Sequence, residues 1–207
     1  MKILIKYLFL FIILLTIGCS GKEDKDISVL LSTDLDQQMS EVYREGLEAY
    51  KKEDFLLAAK KFNEAELLYP QSEWAAKSSL MAAYSYYTDG YYNDSIFQLE
   101  QFVKLYPTNP RISYAHYLLA MSYYSKIIDQ KKDLKPLIES KNKFLFIVNE
   151  YPNSEYALDS KFKLDLIEET LASKEMFVAK HYIKKEKWIP AINRLKFILE
   201  EYEKTIY

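Results

Sequence analysis

Leu68-Tyr69-Pro70, Leu105-Tyr106-Pro107 and Glu150-Tyr151-Pro152 are three copies of one ending, and Glu200-Glu201-Tyr202-Glu203 is a fourth with Glu in place of Pro. The first two prolines are 37 residues apart and the next two 45. Self-similarity at this period is the mark of a repeat architecture. Reading back from each ending aligns small and aromatic positions. The first copy has Gly46, Tyr50, Phe55, Ala58, Phe62 and Ala65. The second has Ala83, Tyr87, Gly90, Tyr92, Ser95, Leu99 and Phe102, and the third Ala120, Tyr124, Ser140, Phe144 and Ile147. The fourth has Ala179, Tyr182, Trp188, Ala191, Leu195 and Ile198. Small residues let paired helices approach closely, and apolar residues four and three apart share one helix face.

Proline after each second helix stops it. Ser72, Asn109 and Ser154 are the expected N-caps of the next first helix, with Pro110 placed at its first turn. The spacing resembles the tetratricopeptide repeat. The expected fold is therefore all-α, an α-solenoid of about four helix hairpins, truncated before a fifth that the family described below carries. The added length of the third copy falls in a loop near Ile127–Lys135, and Asn153–Lys185 reads as one long helix without a breaker.

Composition agrees. The 207 residues are 49% hydrophobic and 28% charged, enough for a sizeable core. Only 4 Gly and 6 Pro are present, too few for the many turns of an all-β fold. The net charge of −2 and the absence of a basic stripe argue against nucleic-acid binding. A single cysteine excludes an intrachain disulfide framework.

The N-terminus reads as an address. Lys2 and Lys6 precede an apolar run from Tyr7 to Ile17, which is followed by Gly18-Cys19. The run is short for a membrane span and has the charge and cleavage-site features of a signal peptide. Thr16-Ile17-Gly18-Cys19 resembles a bacterial lipobox, which implies cleavage after residue 18 and acylation of Cys19. More than one acyl chain gives stable anchoring. Residues 19–37 are then the lipidated Cys and a polar tether, and residues 38–207 the repeat domain. Ser20, by resemblance to known sorting rules, favours delivery to the outer membrane.

First helices of tetratricopeptide arrays line the inner face. Their exposed positions here are Tyr43, Leu47 and Tyr50; Leu80, Tyr84 and Tyr87; and Tyr114, Tyr117, Met121 and Tyr124. A tyrosine-rich surface suits an extended aromatic peptide, because Tyr offers broad apolar contact with a polar tip. Packing between neighbouring helix pairs is the competing role for each ring. The Lys and Asn clamp that some tetratricopeptide adaptors use for a peptide carboxylate is missing from these positions.

The lipobox, the Tyr-Pro endings, Asn149-Glu-Tyr-Pro-Asn-Ser-Glu-Tyr156 and the stretch from Phe177 through Trp188-Ile-Pro-Ala-Ile-Asn-Arg194 to Glu201 together resemble the BamD family, lipoproteins of the outer-membrane β-barrel assembly machine. That resemblance implies a lipid-anchored scaffold facing the periplasm. Its partners would be the central barrel protein BamA, other subunits of the machine, and the targeting segments of unfolded outer-membrane proteins. Tyr43, Tyr50, Tyr69, Tyr84 and Tyr87 are the candidate substrate groove, and Arg194 the candidate contact to the barrel protein. A periplasmic repeat adaptor for cell-envelope or division complexes is the alternative.

No catalytic constellation is present. His116 and His181 sit in helical aromatic stretches without ligand spacing, and no phosphate loop, nucleophile elbow or zinc motif occurs. No metal or cofactor is expected, and the lysine runs have acidic neighbours.

Overall fold

The computed structural model describes residues 23–70, 72–126 and 134–207, with side chains from residue 34 onward. The signal peptide, Cys19 and most of the enlarged third loop lie outside the described residues. Those that are described form eight helices and no strand: α1 (Glu23–Lys51), α2 (Phe55–Leu68), α3 (Glu73–Thr88), α4 (Tyr92–Leu105), α5 (Ile112–Ser125), α6 (Lys135–Glu150), α7 (Glu155–Lys184) and α8 (Trp188–Glu201). Each helix packs on the next in chain order, and the first helices α1, α3, α5 and α7 also touch in succession. This is a solenoid of four tetratricopeptide-like hairpins.

Three buried clusters run through the array. Met39, Tyr43, Ala58 and Phe62 anchor the first. Leu80, Leu99, Phe102, Leu118 and Leu119 build the second, and Leu137, Phe144, Ile147, Ile167 and Leu171 the third. Small residues permit the close packing. A Cβ on Gly46 would meet the Phe62 ring at 2.9 Å. Ser78, Ser79, Ser85, Ser95, Ser122, Ser140 and Ser160 are all buried. Ser95 and Ser122 join their hydroxyls across α4 and α5 at 3.1 Å, and the Ser140 hydroxyl donates to the Ala120 carbonyl at 3.1 Å.

Two corners are copied along the chain. Inside the first, second and fourth pairs the loop residue Glu53, Gly90 or Glu186 has φ of 63°, 78° or 58°. The next amide returns five residues: Asp54 to Ala49, Tyr91 to Tyr86, and Lys187 to Tyr182, at 3.0, 2.9 and 3.0 Å. This left-handed helix end satisfies carbonyls that the helix leaves open. Glycine suits it best, and two of the three sites carry Glu. After each pair, the carbonyls of Tyr69, Tyr106, Tyr151 and Tyr202 accept from the amides of Ser72, Asn109, Ser154 and Thr205 at 3.0–3.1 Å. Tyr202 therefore closes the same turn although Glu203 replaces the proline.

Ser72 caps α3 as expected, its hydroxyl accepting from the Ala75 amide at 3.1 Å. Asn109 differs. Its carboxamide accepts from the Arg111 amide at 2.9 Å, closing a turn ahead of α5, and Arg111 is the cap residue. Two prolines in Pro107-Thr-Asn-Pro110 leave too few amides to start the helix sooner. Ser154 occupies the cap position of α7, but its hydroxyl donates back to the Tyr151 carbonyl at 2.8 Å. The segment expected as a tether also differs, because α1 begins at Glu23. No Gly or Pro lies between Gly21 and Gly46 to stop it. The long helix is present, with 30 residues in α7.

Candidate functional site

Three successive first helices meet around a cavity of about 580 Å³. α3 supplies Lys77, Leu80, Met81 and Tyr84; the start of α5 supplies Pro110, Arg111, Ser113 and Tyr114; the start of α7 supplies Ser154, Glu155 and Tyr156. A second cavity of about 610 Å³ adjoins it and shares Lys77, Leu80, Pro110 and Arg111.

The tyrosine row is an interlocked set of rings. Tyr50 stacks on Tyr84 with centroids 5.8 Å apart, and its hydroxyl reaches Thr88 Oγ1 at 3.4 Å. One repeat on, Tyr87 makes the equivalent reach to Ser125 Oγ at 3.5 Å. Tyr156 stacks on Tyr117 at 5.1 Å and leans on Tyr114 at 5.5 Å, while the Tyr117 hydroxyl donates to Asp159 at 2.6 Å. Burial, then the neighbouring phenols of Tyr84, Tyr156, Tyr50 and Tyr87, pushes the Tyr114 hydroxyl well above its ordinary value. Tyr84 is raised by its contact with Tyr50 and then by burial, and Tyr117 by burial and then by Asp159. These rings therefore stay neutral hydrogen-bond donors across the physiological range.

The five predicted groove tyrosines do not all lie on one exposed surface. Tyr84 lines the cavity and Tyr50 stacks behind it. Tyr87 packs on Tyr92 at 5.8 Å beyond the rim. Tyr69 is the cap residue ending α2 and packs on the first cluster. Tyr43 is only 6% exposed, enclosed by Phe62 and Trp74 at 5.1 and 5.5 Å, so its ring belongs to the core. Helical spacing alone could not separate Tyr43, Tyr50, Tyr84 and Tyr87, which all lie on the same stripe of the first helices. The cavity also uses Lys77 and Arg111. They sit one turn before Leu80 and Tyr114, outside the first-helix positions named from the sequence.

Arg194 lies far along the chain on α8, half-exposed, with its guanidinium donating to Glu175 of α7 at 2.9 Å. His116 packs on Phe146 and Tyr151, with ring centroids 4.6 and 5.8 Å away, as a helix-interface residue. His181 is exposed beside Tyr182. Among the described residues no cluster of His, Cys, Asp and Glu could hold a metal.

Fold and groove define the class: a tetratricopeptide-like scaffold whose first helices frame an aromatic cavity. The profile of the family described as YfiO, outer membrane lipoprotein, matches residues 35–207. The outer membrane protein assembly factor BamD of Rickettsia prowazekii (strain Madrid E) is 34% identical over 190 residues, 92% of this chain and 73% of that protein. BamD of Caulobacter vibrioides (strain ATCC 19089 / CIP 103742 / CB 15) is 32% identical over 188 residues, 91% of this chain and 60% of that protein. BamD of Neisseria gonorrhoeae is 30% identical over 197 residues, 90% of this chain and 72% of that protein. The chain belongs to this family of outer membrane lipoproteins, that of the BamD assembly factors, and spans between 60% and 73% of the length of these three relatives.

Proposed function

We propose that the chain is a non-enzymatic scaffold of the β-barrel assembly machinery, held at the outer membrane by an acylated Cys19 and facing the periplasm. It holds the targeting segments of unfolded outer-membrane proteins against Tyr50, Tyr84, Tyr114 and Tyr156. It docks a BamA-like barrel protein on the last helix pair near Arg194. The observation that carries the reading is the aromatic cavity framed by α3, α5 and α7, in a chain whose relatives are named assembly factors. Rings that are already stacked lose little freedom when an extended segment binds, which favours such a surface as a peptide platform.

The experiment is a fluorescence titration of the exported chain with a C-terminal peptide of an outer-membrane barrel protein. Tyr84→Ala is expected to weaken binding by roughly tenfold or more, the usual loss for a central aromatic contact. Absence of binding by the unaltered chain sinks the groove reading. For the second surface, the exported chain is used to capture partners from solubilised outer membranes. Retention of a BamA-like protein that Arg194→Gln reduces supports docking there. Capture of unrelated envelope proteins alone points to the adaptor reading.

A further inference from the structure

The fourth hairpin reaches past the core it closes. α7 has 30 residues against 16 in α6. Its part in the third cluster ends at Leu171, and beyond that only Ala172 and Ala179 are buried on it. α8 packs, among the described residues, on α7 alone. From Leu171 to its end at Lys184 the helix runs on for about 20 Å. The corner at this tip is held by backbone: Glu186 has φ of 58°, and the Lys187 amide donates to the Tyr182 carbonyl at 3.0 Å.

The tip is both basic and apolar. Residues 173–197 hold seven Lys or Arg and two Glu, a net charge of +5 in a chain of net −2. Between Lys180 and Glu200, Glu186 is the sole acidic residue. Basic side chains at helix interfaces are paired: Lys61 with Glu45 and Glu64 at 2.8 and 3.2 Å, Lys141 with Glu168 at 3.2 Å, and Arg194 with Glu175 at 2.9 Å. Lys180, Lys184, Lys185 and Lys187 are all exposed, and among the described residues none of the four has a carboxylate at ion-pair distance. Interleaved with them are Ile183, exposed, Trp188, 59% exposed, and Ile189, 75% exposed, with Phe177 exposed two turns before the corner. Neither cavity described above includes these residues, so the apolar side chains project instead of lining a pocket.

We propose that the tip of the α7–α8 hairpin is a membrane-contact site, where Ile183, Trp188 and Ile189 enter the headgroup region of a bilayer and Lys180, Lys184, Lys185 and Lys187 face the phosphates of anionic phospholipids. The inference goes beyond the peptide groove and the partner contact at Arg194, and neither is needed for it. The chain belongs to a family of outer membrane lipoproteins, so a bilayer is at hand. Tryptophan has an apolar ring with one polar N–H and settles at the boundary between water and hydrocarbon. Lysine lays its stem along apolar surface and keeps its ammonium in the headgroups. A projecting tip of this make-up needs no matching pocket in a fluid bilayer, whereas a folded partner would have to supply one. A basic patch also adds to an acyl chain in holding a protein at an anionic surface. With the acylation proposed at Cys19, one membrane contact precedes the first pair and the other lies in the fourth, which fixes how the array is oriented on the bilayer.

The test is co-sedimentation of the whole exported chain, prepared without acylation, with vesicles of phosphatidylcholine alone or of equal parts phosphatidylcholine and phosphatidylglycerol. Binding to the anionic vesicles is expected to be at least about tenfold tighter and to weaken as salt is added. Lys184→Gln and Lys185→Gln together should weaken it roughly thirtyfold, at about fivefold per charge. Trp188→Ala should also weaken it, and in Trp74→Phe, where Trp188 is the remaining tryptophan, emission should shift to the blue on binding. Thermal melting confirms that the variants fold. No binding to anionic vesicles, or binding that the tip variants leave unchanged, overturns the proposal. Lysine-dependent binding without the blue shift overturns the entry of Trp188 into the headgroups. Failure on vesicles, together with capture of an acidic protein that the lysine variants abolish, overturns the membrane assignment in favour of a protein partner.

Discussion

The second helices of the second and fourth pairs, α4 and α8, have the same length of 14 residues and the same apolar pattern, yet they are buried to very different extents. In α4, Ser95, Ile96, Leu99 and Phe102 are buried; in α8 only Ala191 and Ile198 are. The equivalent isoleucines Ile96 and Ile192 are 8% and 50% exposed, and Leu199, equivalent to the half-buried Val103, is 70% exposed. α4 is sandwiched between α3 and α5, while α8, among the described residues, packs on α7 alone. A repeat's pattern therefore specifies a face, and the neighbouring repeat supplies the burial. The face left on α8, with Trp188 and Ile189 beside it, is an exposed apolar surface.

The sharpest break in this comparison is a pair of truncations read by urea unfolding. Phe102→Ala should cost about 3–5 kcal/mol, because a fully buried ring leaves a cavity. Leu199→Ala should stay within about 0.5 kcal/mol, as for other exposed positions. Comparable losses would mean that α8 is covered in solution. The close approach inside the first pair gives the next effect. Gly46→Ala forces a Cβ onto the Phe62 ring and should cost about 1–3 kcal/mol by the same assay. The fourth pair carries Ala179 at the matching position, fully buried.

Entry into the two pairs offers a finer contrast. Ser72→Ala removes an observed cap bond and should lower stability by about 1 kcal/mol. Ser154→Ala should cost less, because its hydroxyl makes no cap bond to α7. The smallest effect is in pH. Burial, helped by the Lys143 ammonium, holds the His116 imidazole below its ordinary value, whereas His181 is exposed. Above the unfolded value of about 6.5 the ring is neutral in both states. As pH falls through that value the unfolded chain takes up a proton that the folded chain resists, so stability declines until the folded imidazole also titrates. Melting temperatures measured downward from neutral pH should therefore fall less in His116→Gln than in the unaltered protein.

Much of this architecture is legible in the residues. Three Tyr-Pro endings and a fourth, Tyr202-Glu203, locate four pairs, the small residues mark their contacts, and the lack of breakers after Asn153 foretells α7. Side-chain partners are harder to read. Tyr43 and Tyr84 share a stripe, and only the position of Trp74 and Phe62 decides that one is core and the other cavity wall. Asn109 has the composition of a cap, but the prolines on either side move the helix start to Ile112. Lys77 and Arg111 are ordinary surface charges in a linear reading. Their shared place in one cavity comes from the packing that brings the starts of α5 and α7 beside α3.

The two copied corners also govern how the chain can fold. Each closes through backbone bonds spanning three to five residues, and each helix leans only on elements within the next pair. Ordering such an array involves short loop closures, so it belongs to the fast, local class of folding reactions. Order can start in any pair and spread to its neighbours. A chain emerging N-terminus first into a compartment can set one hairpin before the next arrives, with no distant segment to wait for.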